Sequence, residues 1–195
     1  VTLEVAPGRT LGLVGKSGSG KTTIGRLALR LYDTTEGVVE VGGVDVRWAR
    51  MAELRASVRA VTQEVQLFSA TLRDNVTLFD ETIHDDRVLD VLHEVGLAPW
   101  FATLPAGLAT VLGPSGTGMS AGEAQLLALS RVFLADPAVV VLDEPSSRLD
   151  PVTEKLVETA TARLLEGRTA VVIAHRLAAL ATVDDIAVLE DGRVV

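Results

Sequence analysis

Short apolar stretches separated by turn residues run along most of the chain, and their period changes with position. Residues 2–5 and 10–14 read as strands, and residues 15–21 form a glycine-rich turn leading into a helical pattern over about 22–31. Residues 37–41 alternate as a strand closed by Gly42-Gly43, and residues 58–62 are a further strand candidate. Val139-Val140-Val141-Leu142 and Ala170-Val171-Val172-Ile173-Ala174 are uninterrupted apolar runs, the mark of strands buried on both faces. Between those two runs, residues 151–165 carry a helical pattern, with Asp150 placed to cap it and Pro151 in its first turn. Residues 186–189 and 193–195 suggest a closing hairpin around Gly192. Strands alternating with helices predict an α/β protein with a mostly parallel sheet.

The middle of the chain departs from this pattern. From about residue 72 to 134 there are helical periods and loops but no convincing strand. Thr71 with Asp74, and Ser120 with Glu123, both stand at the spacing of a capping box. A helical insert within an α/β core is the economical reading, with 1–66 and 136–195 as core and 67–135 as insert. The chain begins inside a strand-like run and stops just after Gly192, so it reads as an excised piece of something longer.

Composition narrows the function classes. The 195 residues are 48% hydrophobic and 23% charged, which excludes a disordered chain. The net charge of −8 argues against a general nucleic-acid surface, which needs a basic field. Cysteine is absent, so disulfides, thiolate metal sites and cysteine nucleophiles are excluded. No apolar run approaches the ~18 residues of a membrane span, and no signal peptide opens the chain. Lysine occurs only at 16, 21 and 155, which makes each position informative.

Gly15-Lys16-Ser17-Gly18-Ser19-Gly20-Lys21-Thr22 matches the phosphate-loop pattern G-x-x-x-x-G-K-[ST] in full. The glycines let the backbone curl so that successive N–H groups face phosphate oxygens, and the following helix adds its positive end. Lys21 is placed to reach the β- and γ-phosphates, and Thr22 to set its hydroxyl on Mg²⁺. Asp143 and Glu144 follow the buried run at 139–142. Asp143 suits a Mg²⁺ ligand and Glu144 a base for water, although alone they would read as two solvated acids. His84 and His93 lie in a polar helical stretch and read as surface residues. His175 directly follows the apolar run at 170–174, where both a helix-start and an active-site role are open.

Together these residues resemble the nucleotide-binding domain of ATP-binding cassette (ABC) transporters, in particular the exporter type. The likeness extends over essentially the whole chain and uses several motifs in the family's order. Val61-Thr62-Gln63 resembles the Q-loop, followed by the exporter-like Leu67-Phe68-Ser69-Ala70-Thr71-Leu72-Arg73-Asp74-Asn75. Ser120-Ala121-Gly122-Glu123-Ala124-Gln125 sits where the family keeps its signature, L-S-G-G-Q. Asp143-Glu144 resembles the Walker B pair, Ser147-Arg148-Leu149-Asp150 the D-loop, and His175 the switch histidine.

The resemblance implies a P-loop core with N-terminal antiparallel strands and an inserted helical subdomain. It assigns Gly15, Ser17, Gly18, Ser19, Gly20, Lys21, Thr22 and Thr23 to ATP. Thr22, Gln63 and Asp143 go to Mg²⁺, and Glu144, His175 and Gln63 to hydrolysis. It further implies a second nucleotide-binding domain bound head to tail, with Ser120, Ala121, Gly122 and Glu123 facing the partner's ATP and Asp150 in the D-loop. The implied setting is the cytoplasmic face of a membrane, under the transmembrane domain of an exporter.

The chain also departs from the family. Ala121 replaces glycine and Glu123 replaces glutamine in the signature, Arg148 replaces a small residue, and no aromatic precedes Tyr32 to stack adenine. Glu123 would place a negative charge ~7 Å from a triphosphate, a repulsion of about 2 kcal/mol per facing charge at an effective dielectric near 20. These departures predict an asymmetric heterodimer with one working and one impaired site. The other readings are a regulatory half that hydrolyses slowly or not at all, and a soluble relative outside transport.

Overall fold

The computed structural model describes residues 1–113, 119–143, 149–174, 180–181 and 183–195. Glu144, Arg148 and His175 therefore lie outside the described residues, as do Pro114-Ser115-Gly116 before the signature. Strand β1 (Thr10–Gly15) leads through the glycine-rich loop into α1 (Lys21–Ala28). A hairpin of β2 (Glu40–Val41) and β3 (Val44–Asp45) comes next, followed by α2 (Met51–Ser57) and β4 (Val58–Val61). The central stretch holds β5 (Ala70–Thr71), α3 (Leu72–Thr77), α4 (Asp85–Glu94), α5 (Ala98–Phe101), β6 (Val111–Leu112) and α6 (Ala121–Ala135). The chain closes with β7 (Val139–Asp143), α7 (Pro151–Leu165), β8 (Thr169–Ile173), β9 (Asp185–Glu190) and β10 (Arg193–Val194).

Six strands form one sheet in the order β10-β9-β1-β8-β7-β4. β9, β1, β8 and β7 run parallel, and β10 folds back antiparallel onto β9. The expected α/β class with a mostly parallel sheet is therefore present, with an antiparallel β2–β3 hairpin before the insert. Val140, Val141, Leu142, Ala170, Val172 and Ile173 are buried, as continuous apolar runs require when both faces of a parallel sheet are covered.

Two compact units divide the chain. One comprises Val1–Ala60, Pro137–Glu144 and Leu165–Val195, the other Val61–Asp136 and Pro145–Leu164. The first is built around Leu11, Leu13, Ile173, Ala187 and Leu189, and around Val46, Leu54, Val58 and Val141. Within it α1 lies close on the sheet: a Cβ at Gly25 would come within 3.0 Å of Val141 Cγ1. The second packs α3, α4 and α6 together. In α4, Val88, Val91 and Leu92 are buried at helical spacing, while Asp85 and Asp86 occupy the first turn, where the helix dipole favours acids.

Several local expectations need correction. Residues 2–5 form no strand, although Leu3 and Val5 do pack against the core around Leu13. Apolar alternation encodes burial, whereas a strand also needs a hydrogen-bonding neighbour. The strand expected over 37–41 is only Glu40–Val41, because Gly37 turns the chain at φ 79°. The first helix stops at Ala28, since Leu29 caps it and Arg30 takes φ 50°. Finally, β6 lies inside the stretch expected to lack strands, pairing Ala70 with Leu112 and Thr71 with Val111. A two-residue ladder is too short to leave an alternating pattern. His84 and His93 are exposed, as expected.

Candidate nucleotide site

The glycine-rich loop closes on a buried cation. Lys21 is 4% exposed, and its Nζ donates to the Gly15 carbonyl at 2.7 Å, the Lys16 carbonyl at 2.9 Å and Ser19 Oγ at 3.4 Å. Among the described residues no carboxylate pairs with it. A buried ammonium held only by neutral oxygens lacks a counter-charge, and an anion arriving at the loop would supply one.

The loop's shape follows from its glycines. Gly20 caps α1 at φ 103°, a left-handed conformation that a side chain would strain, and no side chain caps the helix. The first-turn N–H groups of an α-helix have no intrahelical acceptor, so this end of α1, which carries Lys21, Thr22 and Thr23, suits phosphate oxygens. At Gly15 a Cβ would lie 2.2 Å from the Leu189 carbonyl, so β9 sets how tightly the loop turns.

Two contacts to the loop come from a distant part of the sequence. Gly192 N–H donates to the Ser19 carbonyl at 3.2 Å, and Lys16 Nζ pairs with Glu190 at 3.3 Å. The Lys16–Glu190 pair is exposed and contributes little by itself. The backbone contact places the β9–β10 turn against the loop, and no local sequence signal announced it.

Asp143 stands where β7 ends, partly buried. Strand register puts Leu13, Ile173 and Asp143 in one row across β1, β8 and β7. At the usual strand spacing the Asp143 Cα is then about 10 Å from that of Leu13, two residues short of the phosphate loop. The Ala174 N–H donates to the Leu13 carbonyl at 3.1 Å, so the chain leaves β8 on the same edge. Of the expected site residues, Gly15, Ser17, Gly18, Ser19, Gly20, Lys21, Thr22, Thr23 and Asp143 thus share the sheet-bearing unit. Gln63, Ser120, Ala121, Gly122, Glu123 and Asp150 belong to the second unit.

In that second unit α6 opens with the full capping box that its sequence spacing predicts. Glu123 N–H donates to Ser120 Oγ at 3.2 Å, and Ser120 N–H donates to Glu123 Oε2 at 2.7 Å. The Glu123 carboxylate is thereby committed to the start of its own helix. Asp150 does the same for α7, its Oδ1 accepting from Val152 N–H and Thr153 N–H, both at 3.1 Å. The Thr153 and Val152 hydrogen bonds hold the Asp150 carboxyl below its ordinary range, with the Thr153 bond the larger cause.

The starts of α6 and α7 touch. A Cβ at Gly122 would lie 1.8 Å from Thr153 Cγ2 and 3.0 Å from Thr153 Cβ, so even with the threonine rotated a tight contact to its Cβ remains. Gly122→Ala should therefore push the two helices apart and cost about 2–3 kcal/mol of stability. Denaturant unfolding checks this, and an unchanged midpoint would show that the contact yields freely.

Three polar side chains of the second unit, to which the sequence assigned no individual role, hold backbone carbonyls. Gln125, 5% exposed, donates its amide to the Gln63 carbonyl at 2.9 Å and the Thr62 carbonyl at 3.2 Å. Arg131, also on α6, donates to the Asn75 carbonyl at 2.8 Å and the Gln66 carbonyl at 3.0 Å. Burial pushes its guanidinium down to about 10, and it stays charged at neutral pH. Asn75, fully buried, donates to the carbonyls of Phe68, Ala70 and Thr71. The available signal was a polar residue set among the buried leucines of α6, as Gln125 is beside Leu126 and Leu127.

A curled glycine loop around a buried lysine, a helix start behind it and an acid two strands away define a P-loop nucleotide-binding domain. The chain belongs to the ABC transporter family, whose pattern it matches over residues 1–147, and it is that family's ATP-binding domain, of the ATPase class. It is 41% identical over 195 residues to an ATP-dependent lipid A-core flippase of Burkholderia orbicola, covering 100% of this chain and 33% of that protein. It is 36% identical over 195 residues to the human ATP-binding cassette sub-family B member 6, covering 100% of this chain and 23% of that protein. The structure resembles that of a bacterial Atm1-family ABC exporter with ATP bound, at TM-score 0.89 and 34% identity, covering 98% of this chain and 34% of the other. The chain thus spans about a third or less of the length of these relatives. Among the described residues no helix is long and apolar enough to cross a membrane.

Proposed function

We propose that this domain binds and hydrolyses ATP to power a membrane exporter, closing on a second nucleotide-binding domain with ATP between them. The observation that carries the reading is Lys21, a buried ammonium with no carboxylate partner among the described residues, set in a loop whose glycines leave the backbone open to phosphate. The flippase and exporter named among its relatives support the transport role. The setting is then the cytoplasmic face of a membrane, beneath the transmembrane domain of the same transporter.

Thr22 and Asp143 offer hard oxygen donors of the kind Mg²⁺ prefers, and Gln63 would add an amide oxygen. When bound, Mg²⁺ supplies positive charge to the β- and γ-phosphate oxygens. The chain's own residues do the rest. Lys21 and the first-turn N–H groups of α1 hold the triphosphate, while Glu144 accepts a proton from water. His175 contacts the γ-phosphate, and Gln63 orients the attacking water. Catalysis of this type is positioning and electrostatics, with no covalent intermediate on the protein.

Ser120, Ala121, Gly122 and Glu123 would face the nucleotide held by the partner, with Asp150 in the adjoining D-loop. Ala121 adds a Cβ where a backbone must approach closely, and Glu123 brings a carboxylate to the helix start. Gln63, Asp143, Glu144 and His175 all match the family pattern. These features favour a heterodimer: a working site formed by this P-loop and a regular partner signature, and a weak one facing Ser120. The partner should then lack its own catalytic glutamate or switch histidine.

Because the partner completes the site, the 195-residue chain alone should be monomeric and hydrolyse ATP slowly. Initial rates measured over a hundredfold dilution series with sedimentation in parallel check this. Vigorous turnover independent of concentration would contradict the shared site.

A further inference from the structure

The amide of Gln125 is buried on the second turn of α6 and makes both of its hydrogen bonds to the loop that carries Gln63. Nε2 donates to the carbonyls of Thr62 and Gln63, at 3.2 and 2.9 Å. Oε1 is also buried, with no partner among the described residues. A glutamine kept only to fill space among leucines would be better replaced by an apolar residue, since its unpaired oxygen is a standing penalty. Its donors, however, can satisfy two carbonyls more than sixty residues earlier.

The same helix grips the segment a second time. Arg131 takes the carbonyls of Gln66 and Asn75, and Asn75 in turn holds the turn at Phe68, Ala70 and Thr71. Between these two grips lies the run from Thr62 to Asn75. At its own start, α6 carries Ser120 and Gly122, with Ser120 locked to Glu123 by the capping box. All of these contacts lie within one compact unit.

We propose that Gln125 is a positioning residue that makes the Gln63 loop and the signature end of α6 one mechanical piece. Any displacement of Gln63 at this chain's own nucleotide is then handed to Ser120, which faces the nucleotide of the other subunit. This rests on the reading above, in which Gln63 and Ser120 act at those two nucleotides. Gln125 itself need touch neither ATP nor Mg²⁺. Its contribution is to stop the loop backbone from moving independently of the helix.

The test uses the assembled transporter and three variants: Gln125→Met, which keeps length and volume but has no donor, Gln63→Ala, and the two combined. Gln125→Met should lower kcat about tenfold while leaving KM for ATP within about twofold, because ATP is held elsewhere. The double variant should be no slower than Gln63→Ala alone, as expected of two residues acting through one loop. Hydrogen exchange at the amides of residues 62–66 should quicken in Gln125→Met, with the melting temperature near wild type. If Gln125→Met fails to assemble, Gln125→Asn serves, its amide one methylene too short to reach both carbonyls, with an intermediate kcat expected.

Wild-type kcat in Gln125→Met, or losses that multiply in the double variant, would overturn the proposal. A slow Gln125→Met beside a fully active Gln63→Ala would also overturn it, and would remove Gln63 from the proposed mechanism. A slow Gln63→Ala beside a normal Gln125→Met leaves that mechanism standing and sinks only the tie.

Discussion

Lys21→Ala should abolish tight ATP binding, weakening it about a hundredfold. The ammonium is held by the Gly15 and Lys16 carbonyls and by Ser19 Oγ, already desolvated and already aimed into the loop. A charge-assisted contact of this kind contributes about 3 kcal/mol, roughly a hundredfold in affinity. Alanine leaves only neutral backbone donors and the helix end. Because ligand binding stabilises the folded state in proportion to ln(1 + [L]/Kd), the unmodified chain should melt higher with ATP–Mg²⁺ than without. In Lys21→Ala that shift should be much smaller at the same ATP concentration. Titration calorimetry checks the affinity directly, and equal affinity in the two chains would remove the phosphate loop from the proposal.

Glu144→Gln should separate binding from chemistry. The residue follows Asp143, the last residue of β7, in the sequence and lies outside the described residues. An amide preserves the size of the side chain and its place after Asp143, so nucleotide affinity should persist. It cannot accept a proton from water, and loss of a positioned base costs about 10²–10⁴ in rate. The assembled transporter should therefore bind ATP with near-normal affinity and turn over at least a hundredfold more slowly, with the two-domain complex accumulating in ATP. Near-normal turnover would assign the base to another residue.

Much of the site was legible because its chemistry is contiguous. The phosphate loop is eight consecutive residues whose types are dictated by one curled backbone, and the structure closes that backbone on Lys21. The run at 139–142 followed by Asp143 declares a two-sided buried strand ending in an acid. Asp150 and Pro151 mark the start of α7, and Ser120 with Glu123 marks the start of α6, because capping is a matter of three or four neighbours.

Other features depend on partners that no local pattern names. Residues 2–5 alternate like a strand, yet a strand exists only where another strand offers hydrogen bonds. The order β9-β1-β8-β7, which brings Leu13, Ile173 and Asp143 into one row, pairs strands far apart in the chain. Gln125 was visible as a letter in the signature region, but the two carbonyls its amide reaches lie more than sixty residues away. Gly192 reaches the Ser19 carbonyl in the same manner, from the far end of the chain. Capping, curling and burial are decided within a turn of the backbone, and these the sequence determined by itself. Which distant carbonyl satisfies a buried donor is decided only when packing removes water from both, and that choice belonged to the tertiary structure.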